Sequence, residues 1–136
     1  MRVLITGAAG FIGQQVLDQL AIQHPDWTLI AADIRPQSRK TLRLNVEPVL
    51  LDISQARAVR DCVATWQPQA IVHLASVVTP PRGMSDAQLH AIDVGGTQAV
   101  VEAAAAEGVE QLIVTSSGAA YGYFPENAEW IDEDHP

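Results

Sequence analysis

The chain is poor in the residues that mark secreted, cationic or membrane-spanning proteins. Cys62 is the only cysteine among 136 residues, so no internal disulfide can form, and that usage fits a reducing cytosol. Basic residues are scarce: 8 Lys and Arg face 16 Asp and Glu, a formal net charge of −8. A field of that sign repels nucleic acid and anionic lipid, and neither is expected as a partner. The one basic cluster, Arg35, Arg39, Lys40 and Arg43, reads as a solvated loop. No apolar run approaches the ~18 residues a membrane helix needs. The opening run Val3-Leu4-Ile5 is too short for a signal-peptide core, so the expected location is cytoplasmic. No metal site is expected.

What is present is the content of one soluble domain spanning residues 1–136, with 48% hydrophobic residues and one core to bury. Short apolar runs alternate with longer helical patterns. Val3 to Ile5, Leu29 to Ala32, Val46 to Leu51, Ala70 to Ala75 and Gln111 to Thr115 read as five strands, the third suited to an edge by Pro48. Between them lie helices from Phe11 to about Gln23, from a Ser54 cap to Trp66, and from Ser85 to Gly108. Ser85-x-x-Gln88 has the form of a capping box, and Gly108 suits the position after a helix end. Cys62 falls inside the second helix and reads as a small core residue rather than a nucleophile. Such alternation predicts a doubly wound α/β fold with a parallel sheet in the order 3-2-1-4-5. Its ligand site should lie at the carboxyl ends of strands 1 and 4, where the order reverses.

The first strand runs into Thr6-Gly7-Ala8-Ala9-Gly10-Phe11-Ile12-Gly13. Gly7 permits a tight turn, Gly10 lets backbone approach a pyrophosphate, and Gly13 lets the helix pack against the strand. The helix N-terminus then offers free N–H groups to the phosphates. A ligand-free tight turn would account for Gly7 but not for all three glycines. Asp33, at the end of the second strand, is placed to accept hydrogen bonds from both hydroxyls of a ribose, which favours NAD over NADP; Arg35 beside it works the other way. A plain turn residue is the alternative reading of Asp33.

These segments resemble the extended short-chain dehydrogenase/reductase family, the NAD-dependent epimerases and dehydratases. The resemblance is carried by the glycine turn, Asp33, Asp52-Ile53, His73-Leu74-Ala75-Ser76, Asp93-Val94-Gly95-Gly96-Thr97 and Ser116-Ser117-Gly118-Ala119-Ala120-Tyr121-Gly122. It implies a Rossmann fold and a bound NAD. It assigns adenine contacts to Asp52 and Ile53, the nicotinamide-ribose path to Leu74, Ala75 and Ser76, and the catalytic contact with the substrate oxygen to Ser117. Tyr121 would be a pocket wall. From the residues alone, Asp52 also reads as a helix-entry residue and His73 as a packed strand residue.

Two departures from the family pattern stand out. Asp93 replaces the usual Asn, and an ionised carboxylate cannot donate a hydrogen bond. The family's general acid/base, a Tyr followed four residues later by a Lys, is missing, since no lysine follows Lys40. The final Glu133-Asp134-His135-Pro136 is similar to the stretch that precedes that Tyr, so the expectation is an N-terminal portion that stops short of the Tyr-x-x-x-Lys helix. The full protein would transfer hydride between NAD and a hydroxyl or keto carbon of a small molecule, such as a nucleotide sugar; the portion alone would be inactive. A non-catalytic dinucleotide sensor and an interaction module are the other classes open to these residues. Leu89, Ile92, Val100, Val101 and Ala104 cover more than one narrow helical stripe, and the resemblance implies a homodimer through that helix.

Overall fold

Apolar strand segments that alternate between two faces need a helical layer on each side, and the molecule supplies both. In this computed structural model, which describes residues 1–37 and 42–132, five strands form one parallel sheet in the order β3-β2-β1-β4-β5. They are β1 (Arg2–Thr6), β2 (Thr28–Asp33), β3 (Val46–Leu50), β4 (Ala70–His73) and β5 (Gln111–Val114). The expected order and the edge position of Pro48 are both present. Arg39 and Lys40 of the basic cluster, and Glu133 to Pro136, lie outside the described residues. Of that cluster, Arg35 pairs with Asp33, and Arg43 lies 3.8 Å from Asp18.

Successive strand residues point to opposite faces. Leu4, Ile30 and Ile71 pack with α2 (Ala56–Trp66) and α4 (Thr97–Ala106) on one side. Val3, Ile5 and Leu29 pack with Leu17 and Ala21 of α1 (Phe11–Gln23) on the other. Cys62 belongs to the first layer, and burial pushes its thiol pKa up to about 11. Buried without a cationic neighbour to stabilise a thiolate, it is a packing residue.

Two local expectations need correction. Ser54 does not cap α2: the cap position is Gln55, with no side-chain bond, because the Ser54 hydroxyl donates instead to Asp52 Oδ1 (2.7 Å). The helix expected from Ser85 to Gly108 is not uniform. The Ser85–Gln88 capping box starts α3 (Asp86–His90), and a π-helical turn over Ala91–Gly96 then separates it from α4. Gly108, with φ +67°, follows the helix end as expected. Val100 and Ala104 are buried in the chain's own core, so only Val94 and Val101 remain as large exposed apolar residues on the π turn and α4. No helix among the described residues is long and apolar enough to cross a membrane.

Candidate functional site

The turn after β1 is built so that backbone, not side chain, fills it. Gly7 has φ +68°, and a Cβ there would lie 2.7 Å from Ala75 N and 2.8 Å from the Leu74 carbonyl. Gly10 N–H donates to the Gly7 carbonyl (2.9 Å) and closes the turn. A Cβ on Gly13 would collide with that same carbonyl and with the backbone of Ala8. β1, the turn, α1 and the end of β4 thus share a space that only glycine allows. Gly10 also occupies the N-cap of α1, where no side chain accepts from the first turn. The N–H groups of Phe11 and Ile12 therefore face outward at the positive end of the helix.

Asp33 closes one end of this region. Its carboxylate is buried; Oδ2 accepts from Ala9 N–H (2.9 Å), and Oδ1 accepts from the backbone N–H (2.9 Å) and Nε (3.2 Å) of Arg35. The carboxylate thereby ties the end of β2 to the glycine turn. A cavity of about 350 Å³ runs from Asp33 past Asp52 and Ile53 to Leu74, Ala75 and Ser76. Asp52 spends Oδ1 on the N–H and hydroxyl of Ser54, which holds its carboxyl group at the cavity wall. Ile53 is buried beneath, where a Cβ at Gly96 would meet its side chain at 2.6 Å. Pro81 and Met84, in the loop after β4, also line it.

A second cavity, of about 410 Å³, begins at the same Leu74, Ala75 and Ser76 and extends to Asp93, Thr97 and Ser117, with Ile12 at its edge. Ser117 is exposed, and its Oγ accepts from Ala119 N–H (3.2 Å) as the cap of a 3₁₀ turn over Gly118–Tyr121, which leaves the hydroxyl hydrogen available. Ser116 lines the same cavity, whereas Tyr121 lines neither.

Beneath Leu74, His73 is 2% exposed and bridges Thr6 Oγ1 (2.7 Å from Nδ1) and Thr97 Oγ1 (3.0 Å from Nε2). Burial lowers its pKa, because the charged ring loses hydration. Asp93 Oδ1 accepts from Val77 N–H (3.0 Å). The Asp found in place of Asn therefore acts as an acceptor, a task a carboxylate performs as well as an amide oxygen.

Gly7, Gly10, Ile12, Asp33, Asp52, Ile53, Leu74, Ala75, Ser76 and Ser117 line the two adjoining cavities at the carboxyl ends of β1 and β4, whereas Phe11, Gly13 and Tyr121 line neither. That is the place expected from the strand order. Sequence reasoning missed three participants: the Thr6–His73–Thr97 bridge, Asp93 as an acceptor, and the Pro81–Met84 wall. The bridge joins residues 67 and 24 apart in the chain, a pairing no local pattern announces. The Asp93–Val77 bond and the loop wall depend in the same way on how distant segments fold together.

Comparison with known proteins agrees with this geometry. The family model described as "NAD dependent epimerase/dehydratase family" matches residues 3–136. A dTDP-L-rhamnose 4-epimerase from Burkholderia thailandensis is 31% identical, over 89% of this chain and 36% of its own. A UDP-glucose 4-epimerase from Mycolicibacterium smegmatis is 34% identical, over 100% of this chain and 44% of its own. The crystal structure of the Thermus thermophilus UDP-glucose 4-epimerase complex with NAD superposes with a TM-score of 0.81 at 28% identity, over 100% of this chain and 44% of that one. The chain thus spans 36% to 44% of the length of these relatives. A doubly wound sheet, a side-chain-free glycine turn and a family match over nearly every residue agree: the chain belongs to the NAD-dependent epimerase/dehydratase family.

Proposed function

We propose that this chain forms the NAD-binding part of an enzyme that interconverts or oxidises a sugar, with a nucleotide sugar as the substrate class. The observation that carries the reading is a continuous cleft under the uncapped N-terminus of α1, with a buried carboxylate at one end and a free serine hydroxyl at the other. Its dimensions and chemistry suit a dinucleotide. The outward N–H groups of Phe11 and Ile12 face a pyrophosphate that Gly7, Gly10 and Gly13 leave room for. Asp33 Oδ2, with one acceptor site taken by Ala9 N–H, keeps the other for a ribose hydroxyl, and Oδ1 takes the second hydroxyl where the Arg35 guanidinium yields its site. Asp52 and Ile53 take the adenine, while Leu74, Ala75 and Ser76 line the nicotinamide ribose.

Bound NAD supplies hydride acceptance and return. The chain's own contribution at the reacting end is Ser117, whose hydroxyl hydrogen is directed to the substrate oxygen that loses or gains the proton. Proton transfer itself is assigned to a Tyr and Lys that these 136 residues do not contain, and residues 1–136 serve as the dinucleotide-binding domain. The names of the relatives support the substrate class: one is a dTDP-L-rhamnose epimerase and another a UDP-glucose epimerase. Val94 and Val101, seven residues apart on one helical face, support an isologous dimer, which light scattering of the full-length protein tests.

The test of function is to incubate the full-length protein with NAD and a panel of UDP- and dTDP-sugars, then separate the products by chromatography. Epimerised or dehydrated nucleotide sugar, or stoichiometric reduced nicotinamide, is the expected result. Turnover only with free steroids or other non-sugar alcohols would overturn the substrate assignment.

A further inference from the structure

The bridge at His73 has only one consistent set of hydrogen positions. Thr97 Oγ1 lies 2.6 Å from the Asp93 carbonyl, which can only accept, so the single hydroxyl hydrogen of Thr97 is committed there. His73 Nε2 must then carry a hydrogen and donate it to Thr97 Oγ1. Thr6 Oγ1 accepts from Ala75 N–H (3.3 Å) and shares Leu74 N–H (3.2 Å) with the Thr6 carbonyl, and with Nε2 carrying the hydrogen of the neutral ring its own hydrogen goes to His73 Nδ1. The result is a one-way relay: the Thr6 hydroxyl to His73, His73 to Thr97, and Thr97 to the Asp93 carbonyl. It crosses from β1 through β4 to the π-helical turn. From that turn the Asp93 carboxylate reaches back to Val77 N–H. Every buried side-chain polar atom among the described residues is satisfied, so the relay has no slack.

We propose that His73 is a positioning residue: held as its neutral Nε2–H form between Thr6 and Thr97, it fixes the Asp93 turn. Through Asp93 it holds Val77 N–H and so fixes the Ser76–Val78 segment, of which Ser76 and Val78 wall the far half of the cleft and Val77 lines the near half. This inference rests on the NAD reading above, which makes that half the nicotinamide side. His73, Asp93 and Thr97 line only the second cavity, while Asp33 and Asp52 line only the first. Loss of the relay therefore acts mainly on the half of the ligand in the second cavity, where His73, Asp93, Thr97 and Val78 lie. Asp93 is the only other ionisable side chain lining the second cavity, and its carboxylate is turned to Val77. The one oxygen facing a second N–H of a protonated His73 is Thr6 Oγ1, which already takes Ala75 N–H and a share of Leu74 N–H, so the neutral ring fits the bridge better.

The test compares NAD with AMP, which occupies only the Asp33–Asp52 half. In the full-length protein, His73→Asn retains an acceptor for Thr6 but cannot reach Thr97. Thr97→Val keeps the shape and removes the hydroxyl. Both variants should weaken NAD by about three- to tenfold, the size of one hydrogen bond, and change AMP by less than about twofold. Thr97→Ser, which restores a hydroxyl, should recover NAD affinity. Equal losses for the two ligands, or none, would overturn the positioning role. Failure of the unaltered protein to bind either ligand would overturn the NAD reading itself. Should His73→Asn or Thr97→Val not fold, nitrogen-15 spectra of the histidines in the unaltered protein decide. A neutral Nε2–H signature for His73 supports the relay, and an Nδ1–H or doubly protonated ring at neutral pH overturns it.

Discussion

The carbonyl oxygen of Gly7 occupies the position into which a side chain on Gly13 would grow. Two glycines six residues apart are therefore one structural unit: the turn made by the first is the surface on which the second packs. Gly13→Ala should cost about 1–3 kcal/mol by overpacking. Gly7→Ala should cost more, because its positive φ adds roughly 1–2 kcal/mol to the collision with Leu74 and Ala75. Gly95→Ala is the control: its Cβ would meet nothing nearer than 4.0 Å. It should be neutral or stabilising by up to about 1 kcal/mol, as expected for alanine in a helix. Denaturant unfolding measures all three.

Cys62 should be inert in the folded protein. With its thiol pushed up to about 11, only about one molecule in a thousand carries a thiolate at pH 8. A disulfide reagent should label it only after denaturant is added. Rapid stoichiometric labelling of the native protein would show that the core around α2 opens.

His73 gives the fold an acid sensitivity of known sign. Its folded pKa lies below the ordinary 6.5, so the unfolded chain binds this proton more readily. The contribution is fully present above pH 6.5 and is lost as pH falls below it towards the folded value. In that window it should lower stability by up to about 1.4 kcal/mol per pH unit. His73→Asn should flatten the slope there, read as unfolding midpoint against pH.

Much of this was legible before any coordinates. The five strands, their order, Asp33 at the end of β2 and the Ser85 capping box follow from local pattern, because apolar periodicity and capping chemistry act over a few residues. What was not legible depends on partners distant in the chain. Ser54 has the composition of an N-cap, but Asp52 competes for its hydroxyl. Val100 and Ala104 look like spare apolar surface until α2 and α4 are seen on the same face of the sheet. Asp93 looks like a fault in a donor position, yet the position needs an acceptor for Val77 N–H.

Ser117 provides the test at the reacting end. If the proposed function holds, Ser117→Ala in the full-length protein should lower kcat by roughly 10²-fold or more, the scale of a positioned polar group. A chain ending at Pro136 should show no turnover with any substrate. An unchanged kcat in the variant would reassign Ser117 to capping the turn at Gly118, where its oxygen already serves.

The central claim is that the cleft between Asp33 and Ser117 holds NAD, and that Asp33 chooses it over NADP. Calorimetric titration of the full-length protein with both dinucleotides tests it most directly. Tighter NAD binding is predicted. Asp33→Ala should weaken NAD by about 10- to 100-fold, the scale of a charge-assisted hydrogen bond, and narrow the gap to NADP. The carboxylate that repels a 2′-phosphate would then be gone, and Arg35 would be released from it. Tighter binding of NADP by the unaltered protein, or an NAD affinity indifferent to Asp33, would contradict the account.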